Sequence, residues 1–147
     1  MGSSRKYLNA FLFLSLLIFA SGCKKDDSNP VEDNAPATFV GTWKLTSLSA
    51  TVSGQPLTLT PDQAGTQMTI VSKQDYTFTM TTIDASGTKV NTGTWSVTGT
   101  NLNLKYSDNT SATYAFTVTG TTLSIKDYPY THPLFGALLI KLDFTKQ

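Results

Sequence analysis

The chain has one cysteine and one histidine, and neither arginine nor glutamate occurs more than once. Each scarcity removes a class of explanation. Cys23 has no partner in the chain, so an internal disulfide is excluded. From Thr38 onward there is no cysteine, no arginine and no glutamate, and His132 is the sole imidazole. One histidine does not make a zinc site unless folding brings several carboxylates to it, so no metal is expected. The ordinary place for His132 is a loop position beside Pro133. No serine sits in a Gly-x-Ser-x-Gly elbow, and ASGTK at 85–89 lacks the spacing of a phosphate loop. Asp62, Asp75, Asp84, Asp108, Asp127 and Asp143 fall at turns or strand ends, where aspartate caps backbone groups. No two of them share a general acid-base motif. No catalytic residue is expected, and no cofactor.

Charge is scarce as well, at 14% of residues with a net of +1. Without residues 1–22, which hold Arg5 and Lys6 and no acid, the net becomes −1. No basic patch remains to argue for nucleic acid.

The one long apolar run is Leu8 to Phe19, which follows Arg5 and Lys6 and precedes the small residues Ala20, Ser21 and Gly22. A positive start, an apolar core and small residues at the end describe a signal peptide. A helix over Tyr7 to Gly22 would span roughly 24 Å, short of a hydrocarbon core of about 30 Å, which favours a signal over a membrane span. Cys23 follows directly. It could be a reactive thiol or a lipid acceptor, and its place after a small residue resembles the lipobox of bacterial lipoproteins. That resemblance implies lipidation at Cys23, palmitate among the acyl chains, and an outer-membrane address in a Gram-negative cell. Two or more chains on one residue make such anchoring lasting, at about 0.8 kcal/mol per buried CH₂. Lys24, Lys25, Asp26 and Asp27 resemble the surface-export signal of some lipoproteins, or are plain tether charges. Residues 23–37 have linker composition, with a flexible reach of about 20 Å. Residues 38–147 are then one domain, enough for a single core.

Within that domain apolar residues alternate. Tyr76, Phe78 and Met80 share a face, as do Trp95 and Val97, Leu102, Leu104 and Tyr106, Tyr114, Phe116 and Val118, and Leu138, Ile140, Leu142 and Phe144. A period of two with threonine on the other face means half-buried antiparallel strands. Gly- and Asn-bearing turns predict strands near 40–50, 56–60, 67–73, 75–83, 89–98, 101–106, 112–119, 122–127 and 138–145, with 61–66 a helical turn or loop. VTGTNLNLK at 97–105 returns as VTGTTLSIK at 118–126, one hairpin grammar used twice. Successive hairpins protect their edges by closing into an up-and-down barrel of about eight strands. Trp43 and Trp95 are expected in the core.

VGTWKLTSL at 40–48, with YTFTM, GTWSVTGTNLNL and FTVTGTTLSI further on, resembles the lipocalin-like domain of small bacterial outer-membrane lipoproteins. The resemblance implies that Trp43 plugs one barrel end beneath a cation from the last strand. With no arginine in the domain, Lys141 or Lys146 is left for that place.

DYPYTHPLFGA at 127–137 breaks the pattern. Its prolines predict a stiff loop outside the ladder. Tyr128, Tyr130, His132 and Phe135 then form either a recognition surface or a lid packed over an open barrel end. The expected role is a membrane-anchored, non-catalytic, monomeric binder of a small apolar or amphipathic ligand in or at the barrel mouth. The alternative is a solid barrel that engages a surface glycan or protein, such as a protease, through its loops. The inward aromatics decide between them by whether they fill the interior.

Overall fold

The computed structural model describes residues 38–132 and 135–147. The expected signal peptide, lipid acceptor Cys23 and linker lie outside the described residues. The order is β1 (Gly41–Val52), β2 (Gln55–Leu59), α1 (Pro61–Ala64), β3 (Gln67–Ser72), β4 (Thr77–Asp84), β5 (Gly87–Thr98), β6 (Asn101–Tyr106), β7 (Ser111–Thr119), β8 (Thr122–His132) and β9 (Gly136–Lys146). From β3 to β9 each strand pairs antiparallel with the next, and β9 returns to β1. β1 meets β3 through Gly41 to Lys44 and meets β2 through Leu48 to Val52. The result is a closed eight-stranded barrel with β2 as an added flap. The α1 turn between flap and barrel carries a reciprocal capping box, Thr60 with Gln63, and ends at Gly65 in the left-handed region.

Inward positions follow the alternation read from the sequence. Trp43, Leu45, Ile70, Phe78, Met80, Trp95, Leu102, Leu104, Phe116, Leu123, Ile125, Leu142 and Phe144 are buried. At the end where the chain enters and leaves the barrel, aromatics interlock. The Phe39 ring meets Trp95 edge-on at 4.9 Å and Phe116 at 6.0 Å. Trp43 Nε1 donates to the Phe39 carbonyl at 2.7 Å, which also accepts from Ser72 Oγ at 2.5 Å. Lys146 takes the cation's place, its Nζ 5.3 Å from the Trp43 ring centroid. A Cβ on Gly41 would lie 2.5 Å from Lys146 Cε, so the bare backbone there leaves room for the lysine.

Two sequence expectations are corrected. Tyr76 does not open a strand; it sits in the β3–β4 turn at φ 62°, its carbonyl accepting from Trp95 N at 2.8 Å. Nor do 127–132 and 136–137 form a loop. β8 runs on to His132 and β9 starts at Gly136, with Tyr128↔Ile140, Pro129↔Leu139, Tyr130↔Leu138 and His132↔Gly136 as partners. Pro129 is tolerated because β7 leaves β8 at Phe116↔Ile125, so above that point β8 has no ladder partner on that edge among the described residues.

Candidate functional site

The upper β8–β9 hairpin owes its facing to a bulge. The register with β9 shifts between Ile125 and Tyr128, and Asp127 holds φ 56°. Strict alternation from buried Ile125 would send Asp127, Pro129 and Thr131 inward. One extra residue reverses the phase. Tyr128, Tyr130 and His132 are therefore half-buried while Asp127, Pro129 and Thr131 are exposed. An aspartate tolerates the left-handed conformation better than most residues, since its short side chain bonds locally.

The result is an aromatic row on the inner face of the barrel mouth. Tyr128 lies 5.5 Å from Tyr114, ring to ring. Tyr130 lies 6.2 Å from His132, and its hydroxyl donates to the Ala64 carbonyl of α1 at 3.4 Å. His132 stacks on Phe135 at 4.7 Å with 27° between planes. Tyr128 and Tyr130 also pack against the core, whereas Phe135 is 46% exposed. Tyr106 extends the row across the mouth, meeting Phe78 edge-on at 5.6 Å and sharing a hydroxyl hydrogen bond with Tyr114.

The phenols of Tyr106, Tyr114 and Tyr128 are held neutral. Burial pushes the Tyr106 hydroxyl far above its ordinary value, and neighbouring Tyr114 adds to the shift. Burial raises Tyr114 as well, against a smaller opposing effect of its bond with Tyr106. Burial and then Tyr114 raise Tyr128. Neutral phenols offer both a donor and an acceptor, set on apolar rings.

Between the hairpin and the β1–β2 flap lies a partly enclosed apolar cavity of about 20 Å³, lined by Leu48, Leu57, Leu59, Leu138 and Ile140, with Tyr130 and His132 at its edge. That holds about one water molecule. Among the described residues no group of three or more His, Cys, Asp or Glu could hold a metal ion. Asp75, Asp84 and Asp108 are occupied in turns, where each carboxylate accepts from the backbone N–H and hydroxyl two residues on. Trp43 and Trp95 lie at the far end of the barrel and are 0% and 2% exposed.

Sequence reasoning brought Tyr128, Tyr130, His132 and Phe135 together but passed over Tyr106, read only as an alternating strand residue. Its signal was position: the last apolar residue of a strand, next to the SDNT turn. A family profile described as a lipocalin-like domain matches residues 39–125. The aromatic hairpin begins where that match ends. No curated protein matches the chain.

Proposed function

The chain belongs to the lipocalin-like domain family, and from that premise we propose that it is a non-catalytic binding protein which takes an amphipathic ligand at the barrel mouth. The observation that carries this reading is the contrast between the two regions. Among the described residues the inward aromatic and aliphatic side chains are buried, and the partly enclosed apolar cavity beneath the flap measures about 20 Å³. A drug-sized ligand needs a few hundred Å³. The mouth offers aromatic faces and neutral hydroxyls on half-buried side chains, a surface that binds with little loss of side-chain freedom. Tyr106, Tyr114, Tyr128, Tyr130, His132 and Phe135 supply it. In this reading the protein is tethered to the outer membrane through lipid on Cys23 and faces the cell exterior.

Titration with anilinonaphthalene sulfonate tests the site. The dye should bind saturably at one site. Phe135→Ala should weaken it several-fold with the melting temperature nearly unchanged, because a change at an exposed side chain is usually worth within about 0.5 kcal/mol. Unchanged affinity in that variant contradicts a mouth site. Labelled palmitate should enter the parent chain and not Cys23→Ala. Equal labelling contradicts the anchor.

A further inference from the structure

The seam that closes the barrel does not run its full height. The β1–β9 ladder runs from Trp43↔Lys146 to Ser49↔Lys141 and stops. β1 continues to Val52 with only β2 beside it, and β9 begins at Gly136 with only β8 beside it. Five residues of β9, from Gly136 to Ile140, therefore have one edge without a ladder partner among the described residues. In a strand, every second residue turns its N–H and C=O toward such an edge.

Folded proteins blunt open edges with lysine, proline or bulges. The other edge of this same hairpin has two of those devices, Pro129 and the bulge at Asp127. The β2 flap carries Pro56. The β9 edge has none. It reads Gly136-Ala137-Leu138-Leu139-Ile140, without charge or proline. Leu139, at 66%, is the most exposed large hydrophobic among the described residues.

The wedge above Ser49 and Lys141 offers apolar contacts on both faces. Its inner face is the small cavity lined by Leu57, Leu138 and Ile140. Its outer face is an open trough of about 350 Å³ where Leu139 and Pro56 supply the apolar lining and Thr51, Lys126 and Asp127 a polar one. Lys141, on the trough's border, is engaged by Asp143 at 2.8 Å.

We propose that this seam is a strand-addition site: it accepts an extended peptide segment that pairs with Gly136–Ile140 and continues the β1–β9 ladder. Main-chain bonds supply affinity in this mode, and alternate side chains supply specificity. A guest strand would set one side chain outward against Leu139 and the next inward toward Leu138 and Ile140, the flap parting to admit it because the cavity there holds only about one water. Apolar residues suit the inner face and the Leu139 part of the outer one. A lipid or glycan has no backbone to pair with the open edge. A second copy of the barrel is the poorer occupant. β1 and β2 flank the wedge from the opposite side, so a lone strand enters where a strand still attached to its own neighbour meets the flap. The seam is separate from the aromatic row, and the inference does not depend on the mouth binding a ligand.

The test uses the full chain in detergent micelles and a fluorescein-labelled heptapeptide of alternating threonine and valine. Its control is the same peptide N-methylated at alternate amides. The unmodified peptide should bind saturably and slow amide hydrogen exchange at residues 137–140. The N-methylated peptide should bind at least tenfold more weakly. Leu139→Lys should weaken binding by a similar factor while leaving the melting temperature in place. Equal binding of both peptides overturns the proposal, as does the absence of saturable binding up to millimolar peptide. Protection of 137–140 that rises with protein concentration in the absence of peptide also overturns it, because a second copy would then be the occupant.

Discussion

Replacing Trp43 by phenylalanine tests how the far end of the barrel is held. Trp43 is fully buried. Its indole N–H bonds the Phe39 carbonyl at 2.7 Å, and its ring lies 5.3 Å from Lys146 Nζ. The substitution removes that hydrogen bond, a net loss of about 1 kcal/mol. It also weakens the cation–π contact, worth about 0.5–1 kcal/mol, and leaves part of the indole volume empty. The sum is about 2–3 kcal/mol, against about 3–5 kcal/mol for Trp43→Ala. For a domain of this size each kcal/mol lowers the melting temperature by about 4–8 °C. The Phe39 carbonyl is not orphaned, because Ser72 Oγ still donates to it at 2.5 Å. Ser72→Ala should therefore cost more in the Trp43→Phe background than in the parent, by about 1 kcal/mol or more, since only the double variant strips the acceptor of both side-chain donors. Urea denaturation followed by far-UV circular dichroism gives all four values of the cycle. Additivity within about 0.5 kcal/mol would refute the shared acceptor. A cost below about 1 kcal/mol for Trp43→Ala would refute the packing itself.

Asp127→Gly should be neutral or slightly stabilising, because the bulge needs a positive φ, whereas Asp127→Val should lower stability by about 1–2 kcal/mol; thermal melts rank the pair. Gly93→Ala would set a Cβ 2.0 Å from the Lys105 backbone carbonyl, so β5 and β6 must part; a loss of about 3 kcal/mol or more is expected by denaturant titration. Hydrogen bonds from Thr77, Ser86 and Thr110 hold Asp75, Asp84 and Asp108 below the ordinary carboxylate value. Their contribution is complete above the unfolded-state value of about 3.9 and is lost as pH falls through the lower folded values. Melting temperature should be level above about pH 5 and fall below about pH 4, and asparagine at all three positions should flatten part of that fall.

Much of the fold was legible because alternation and turn chemistry are local. Trp95 between Thr94 and Ser96, or Leu142 between Lys141 and Asp143, states its own facing. The hairpin was not legible for two reasons. The bulge at Asp127 inverts the phase without leaving a composition signal, since aspartate is ordinary at turns. Pro129 argues against a ladder unless one knows that β7 has already departed, which is a fact about distant residues. The open seam is invisible for the same reason: GALLI reads as any buried strand, and its free edge follows only from where β1 stops pairing.

Side-chain NMR of the aromatic and methyl groups during titration with anilinonaphthalene sulfonate tests the central claim most directly. The account predicts shifts at Tyr128, Tyr130, His132 and Phe135, with Tyr106 and Tyr114 following, while the buried methyls of Leu102, Leu123 and Leu142 stay in place. Shifts centred on those leucines would mean that the interior opens to take ligand, and would contradict a filled barrel that binds at its mouth.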